Sequence, residues 1–377
     1  MQRKPSLLKK LSCTLLLGSA FLLSSTTWAE TITDIAGRQV ELPKKVDRIL
    51  LGEGRLFNAV SLLEGQAPVA RIAAWQGDFK KLDPQTYAVY QAKFPEIDSI
   101  PLIGGTSADS ISAEKVLTVN PDIAIFGIAG HGPGKNSELV NQLQKSGVPV
   151  VFVDFRSNPL QNTIPSMRIL GKALKREDVA ERYIAFYEEN MKRVTDITTK
   201  ISEDKKPTVF IELRAASSEA CCGTAGNGNM GDFIDLAGGL NIAKPLLPGV
   251  LGTVNLEKVI VADPQIYIAS GAKAADADTL GIALGAQTTP EQVKASAIPV
   301  LARKGINTLT AVKEGRSYAI WHHFYNSPQN VLVVQSFAKW FYPEQFKDLD
   351  PVATQKEMYK TFLAIEPTGT YWLPLGK

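Results

Sequence analysis

Four kinds of side chain recur in the glycine-rich connections of this sequence: guanidinium, imidazole, indole and phenol. The candidates are Arg55, Trp75, His131, Arg156, Arg214, Trp321, His322, His323 and Tyr325. The chain has three histidines, and all of them fall in this set. A guanidinium offers a planar fork of donors to anionic oxygen. Indole and phenol faces pack on aryl rings. An imidazole or phenol can complete the coordination of a metal whose own chelator leaves a position open, which makes His322, His323 and Tyr325 candidate metal ligands. Together these groups suit an anionic, aromatic, metal-loaded solute. Arg214 ranks first, because a charge directly after an apolar strand has little reason to be there unless the strand end opens on a ligand. His322 and His323 come next. On an extended loop adjacent side chains point opposite ways, so one of the two is expected to face the solute.

Those loops need elements to hold them. Short runs rich in Val and Ile at 48–51, 69–73, 123–127, 150–153, 208–213, 265–269 and 317–320 read as strands. Each is followed by a turn and an amphipathic stretch, which implies βαβ units and mainly parallel sheets. In such sheets ligands sit outside the carboxyl ends of the strands, and that is where the candidate residues fall. One stretch breaks the rhythm. Residues 178–202 contain no Gly or Pro, and Val179, Tyr183, Phe186, Met191, Val194, Ile197 and Ile201 fall mostly three or four apart. This predicts an amphipathic helix of about 24 residues, roughly 36 Å long.

A short internal repeat lies on either side of that helix. Glu-Lys-Val, then Pro, then Ile-x-Ile recur in register in 112–125 and 255–268, 143 residues apart. In each copy Ser112 or Asn255 is placed to cap a short helix, the Pro ends it, and a buried strand follows. The chain therefore reads as two similarly built α/β lobes joined by one long helix.

Residues 1–29 carry Arg3, Lys4, Lys9 and Lys10, then a short apolar run, then small residues ending at Ala29. That order is expected of a cleavable export signal, and the apolar run is short of the roughly 20 residues that span a bilayer. Without it the chain has 37 basic against 38 acidic residues, so no basic excess points to nucleic acid. Cys221 and Cys222 are adjacent. In an oxidising compartment they can form a vicinal disulfide, remain two thiols, or pair between molecules.

These features resemble the periplasmic binding proteins that serve siderophore, heme and cobalamin importers. The resemblance rests on Ile-Thr-Asp-Ile-Ala-Gly-Arg at 32–38 running to Val-Asp-Arg-Ile at 46–49, on the block from Glu114 to Ile125, and on Asp-Leu-Ala-Gly-Gly-Leu-Asn-Ile at 235–242. It implies two Rossmann-like lobes with mainly parallel sheets, joined by one long α-helix, with a shallow cleft between them. The expected organisation is an export signal at 1–29, an N-terminal lobe at 30–160, a connecting helical segment at 161–203 and a C-terminal lobe at 204–377. The resemblance further implies a periplasmic monomer that hands its solute to an inner-membrane ABC permease and its ATPase. Glu114 and Glu257, at matching places in the repeat, are the implied docking carboxylates, suited to orienting an encounter. The expected solute is a ferric siderophore, anionic and of catecholate type. No resident cofactor is expected, iron entering as part of the solute.

Other readings weigh less. Heme could be held by Tyr325 or a histidine, cobalamin would need fewer cleft charges, and a bare oxyanion such as molybdate would suit Arg and backbone N–H groups. A free zinc or manganese ion normally needs three or four clustered ligands, to which His131 with His322 or His323 could contribute. The string Gly-x-Gly-x-x-Gly at 226–231 does not follow directly on its strand, so a tight loop opening a helix is expected there and not a nucleotide site. An exported enzyme finds no support in a Gly-x-Ser-x-Gly elbow, a His-Glu-x-x-His pair or a Cys-x-x-Cys motif.

Overall fold

The structure is a computed structural model that describes residues 1, 30–217, 221–273 and 281–376. The expected export segment lies, but for Met1, outside the described residues. The opening hairpin pairs β1 (Thr31–Thr33) with β2 (Gln39–Glu41). Asp34 at its turn is buried, takes the Arg38 guanidinium at 2.9 Å and accepts from the Phe152 N–H, which fastens the hairpin to the first sheet.

That sheet contains β3 (Ile49–Leu51), β4 (Ile72–Gln76), β5 (Leu102–Gly104), β6 (Ile123–Gly127) and β7 (Val150–Val153) in the order β5-β4-β3-β6-β7, all parallel. β3, β6 and β7 are buried throughout. Their unbroken apolar runs fit a sheet covered on both faces, where no polar alternation is required. The strand expected at 69–73 begins three residues later. A turn at Pro68, closed by the Ala70 N–H on the Ala67 carbonyl, delays it to Ile72.

Two helices follow, Pro159–Leu174 and Glu177–Thr198. The second has 22 residues and spans about 33 Å, close to the expected helix at 178–202. Its buried stripe is Ala180, Tyr183, Ile184, Tyr187, Asn190, Val194 and Thr198. Ala180 packs on Gly171 of the preceding helix. Tyr183 Oη donates to the Pro328 carbonyl at 2.8 Å and Tyr187 Oη to Asn330 Oδ1 at 2.9 Å. The long helix is thus packed on the helix before it and hydrogen-bonded to the C-terminal half.

The second lobe has β8 (Thr208–Glu212), β9 (Gly223–Ala225), β10 (Leu240–Asn241), β11 (Leu251–Thr253), β12 (Ile266–Gly271), β13 (Ser317–Trp321) and β14 (Trp372–Pro374). Its sheet runs β10-β8-β12-β13-β14, parallel except for β14, and β9 pairs with β11 as a separate antiparallel ribbon. The repeat appears as expected. Helices Ala113–Thr118 and Leu256–Ala262 are capped by Ser112 and Asn255, and β6 and β12 follow them. Before β14 the chain passes against the first lobe, where Lys93 Nζ donates to the Ala364 carbonyl. One apolar core runs from the first lobe through the long helix into the second.

Candidate ligand-binding site

The carboxyl ends of the two sheets face each other across a cleft. Arg55 follows β3, His131 follows β6, Arg214 follows β8, Gly271 ends β12, and His322, His323 and Tyr325 follow β13. With Leu82, Ser217, Ala272 and Gly281 they line about 590 Å³ of empty space, its open mouth included.

Arg55 is 2% exposed, one of the most buried large side chains in the chain. Its Nε donates to Asp78 Oδ2 at 3.0 Å and its Nη2 to Glu53 Oε1 at 2.7 Å. Nη1 donates across the cleft floor to Tyr325 Oη at 2.8 Å. Glu53 Oε1 also accepts from Asn326 Nδ2 at 2.8 Å, a second bond between lobes. Burial alone would lower the Arg55 pKa, but Tyr325, Glu53 and Asp78 together hold it above the ordinary value. Asp78 moves the other way. Burial and the neighbouring Glu53 charge push its carboxyl up to about 6, against the pull of Arg55.

The three imidazoles differ in what they have free. A carbonyl can only accept and a guanidinium can only donate, so the partners of His323 fix its tautomer. Nε2–H donates to the Leu82 carbonyl at 2.9 Å and Nδ1 faces Arg55 Nη1 at 3.3 Å. Burial, then the Arg55 charge, lowers its pKa to about 3. His131 Nδ1–H donates to the Thr106 carbonyl at 2.7 Å, leaving the Nε2 lone pair uncommitted. Its pKa is lowered by burial and by Arg55. Gly130 makes this turn possible, since a Cβ there would sit 2.3 Å from Glu53 Oε2. His322 Nδ1 shares a hydrogen bond with Ser270 Oγ at 3.0 Å, and that oxygen also accepts from the Arg214 N–H. Burial, followed by the charges of His323, Arg214, Arg55 and Arg156, drives the His322 pKa well down. At neutral pH the cleft therefore presents uncharged imidazoles beside guanidinium groups.

Arg156 Nη1 donates to Tyr325 Oη at 3.2 Å, and its guanidinium lies 4.9 Å from the ring centroid. Its backbone N–H is held by Asp154, which also takes the N–H groups of Ser157 and Asn158. Arg214 is exposed at the cleft, with a left-handed φ of 50°. Among the described residues, neither Arg156 nor Arg214 has a carboxylate within ion-pair distance.

Three expectations need correction. Trp75 does not line the cleft. It is 2% exposed and packs edge-on against Phe57 at 5.5 Å and Phe79 at 5.8 Å. Trp321 is likewise buried, edge-on to Phe324 at 5.0 Å and Tyr371 at 5.1 Å. The cause is shared. β4 and β13 run on through Gln76 and Trp321, so both indoles lie inside strands and not in the loops after them. Third, His322 and His323 open a 3₁₀ turn, His322–Asn326, and both border the cleft, where an extended loop would have turned one away. Sequence reasoning missed Asp78, the Leu82 carbonyl, Ser270 and Asn326. None carries a local signal, because each acquires its role from a partner tens to hundreds of residues away.

Glu114 and Glu257 are exposed in the first turns of the two repeat helices. Cys221 and Cys222 are joined in a disulfide. The Gly loop at 226–231 does open a helix, Met230–Leu236.

The sequence pattern of the periplasmic binding proteins matches residues 79–321. The chain belongs to that family. Its members serve ABC importers, working in the periplasm with a permease and its ATPase. Among solved structures, the chain is similar to the TroA-like periplasmic binding protein FepB from Veillonella parvula, with 27% identity and a TM-score of 0.80, covering 92% of this chain and 99% of that one. Two more distant structures share the fold. The molybdate-bound MolA of Haemophilus influenzae has 17% identity and a TM-score of 0.70 over 90% of this chain and 99% of that one. Helicobacter pylori CeuE with Ni(II) bound has 17% identity and a TM-score of 0.64 over 89% and 97%. No curated protein matches the sequence. The periplasmic binding protein fold, two lobes with parallel sheets about one long helix, is the one expected from the alternating strands and the repeat. Among the described residues no helix is long and apolar enough to cross a membrane.

Proposed function

We propose that this binding protein carries an anionic ferric chelate, a siderophore, exported under the signal at 1–29 and delivered to the permease through Glu114 and Glu257. The observation that carries the reading is the pairing of two guanidinium groups, Arg156 and Arg214, that meet no carboxylate among the described residues, with imidazoles kept uncharged. The cations meet the net charge of the chelate. An uncharged His131 or His322 nitrogen, or the Tyr325 phenol, is available to the metal. A catecholate ring would stack on Tyr325 and the imidazoles, since both indoles are committed to the core.

A second reading, a compact oxyanion, draws support from the modest cleft volume and from the molybdate seen in the similar Haemophilus protein. Isothermal titration of the chain from residue 30 with the ferric complex of 2,3-dihydroxybenzoate, iron-free 2,3-dihydroxybenzoate and molybdate separates the two. Saturable heat with the ferric complex alone supports a chelate. Saturable heat with molybdate alone replaces the chelate by the oxyanion.

A further inference from the structure

We propose that the Cys221–Cys222 disulfide is a thiol-exchange site that controls the cleft loop bearing Arg214 and Ser217. A periplasmic dithiol, or glutathione as its small analogue, is the chemical class of partner. The two cysteines are unequal in access. Cys222 is fully buried, whereas Cys221 is half-buried. An incoming thiolate therefore attacks Cys221 Sγ. The new S–S bond forms there, the Cys221–Cys222 bond breaks, and Cys222 leaves with the electron pair and takes a proton. A second thiolate attacks the incoming sulfur, releasing the Cys221 thiol. Two reductant thiols become one disulfide as the protein disulfide becomes two thiols.

The consequence passes through Glu212. One carboxylate oxygen of Glu212 and the two sulfurs lie within 4.8 Å of one another. The carboxylate is buried and already arranged. Arg303 grips it with bonds of 2.8 and 2.6 Å, and Tyr267 Oη donates to it at 2.5 Å. Its Oε1 also accepts from the Ala216 N–H at 3.3 Å. Ala216 stands two residues after Arg214, and both have left-handed φ angles, 59° and 50°, a region that non-glycine residues leave unless bonds hold them. A disulfide brings no proton to Glu212. Two thiols bring S–H donors that compete with the long Ala216 bond. Losing that bond leaves the turn anchored by the Arg214 N–H on Ser270 Oγ and the Ala215 N–H on the Ser270 carbonyl, and loosens the seat of Arg214, a cation with no carboxylate partner among the described residues. The role assigned to Arg214 rests on the anionic-solute reading, while the exchange and the Ala216 anchor do not.

The chain from residue 30 is tested in three ways. Cys222→Ser incubated with glutathione disulfide should gain one adduct by mass, on Cys221, and Cys221→Ser should gain none. Hydrogen exchange at the Ala216 amide should rise at least tenfold after the unmutated protein is reduced with dithiothreitol. Affinity for ferric 2,3-dihydroxybenzoate should fall about tenfold on reduction, with no further fall in reduced Arg214→Gln. Equal adduct formation on both variants, or an Ala216 amide indifferent to reduction, overturns the proposal. If the oxidised protein binds no ferric probe, the solute reading fails and the other two readouts still decide this one.

Discussion

Arg55 and Arg214 look alike in the sequence, each an arginine after a strand, yet the structure gives them opposite duties. Arg55→Met removes the one guanidinium that Glu53 and Asp78 share while all three are at most 2% exposed. Removing one partner of a buried ion pair costs about 3–5 kcal/mol, a large part of the roughly 5–15 kcal/mol that holds a domain folded. The loss should depend on pH. With the guanidinium gone, the Asp78 carboxyl, already at about 6, rises further and escapes part of the penalty by protonation. Arg55→Met should therefore be less destabilised at pH 5 than at pH 8. Adding Glu53→Gln and Asp78→Asn to it should restore much of the stability. Arg214→Gln should do the reverse. An exposed side chain without an ion pair changes stability by no more than about 0.5 kcal/mol. Losing charge-assisted bonds to an anionic solute, worth about 1.5–3 kcal/mol, should weaken binding by about ten- to a hundredfold. Urea denaturation at both pH values, beside calorimetric titration with the ferric probe, reads all of this. An Arg55→Met protein as stable as its parent but weakened in binding would refute the division of labour.

Asp83→Asn should stabilise the protein above pH 6. Asp83 is buried with Oδ2 unpartnered, and burial raises its carboxyl to about 6, so keeping it charged costs about 3 kcal/mol. The folded state holds this proton when the unfolded chain has lost it, so the parent loses stability as pH rises from about 4 through 6; a variant with the same pH slope as the parent in urea melts contradicts the assignment. Solute binding should change the radius of gyration by less than about 1 Å in X-ray scattering. The lobes are already tied by Arg55 to Tyr325, His323 to Leu82, Asn326 to Glu53 and Gln85 to Thr288, and a contraction of several ångströms would show that these ties break and re-form.

What the sequence made legible is what depends on local pattern. The Val/Ile runs located β3, β6 and β7 because a doubly covered strand needs no alternation. The Gly-free stretch located the long helix to within a few residues, and the repeat located Ser112 and Asn255 as caps. Strand ends were harder. Nothing within 317–321 marks Trp321 as the last residue of β13, because its place depends on pairing with Gly271 of β12. The loop placement of Trp321 fails for that reason and that of Trp75 because the turn at Pro68 delays β4, while β5, β10 and β14, each three residues or fewer, gave too little pattern to register.

The cleft shows why residue type alone cannot define a binding site. Arg55, Arg156 and Arg214 offer the same fork of donors. What separates them is the set of acceptors each has already met: two carboxylates and a phenol for Arg55, the same phenol for Arg156, and no carboxylate among the described residues for Arg214. The histidines divide likewise. His323 has both nitrogens engaged, whereas His131 has one free. The groups left for a solute are therefore those remaining after the lobes have bonded to each other. A fold that joins its halves by buried charge fixes the cleft's width and its residual charge together, and both must be matched by whatever it carries.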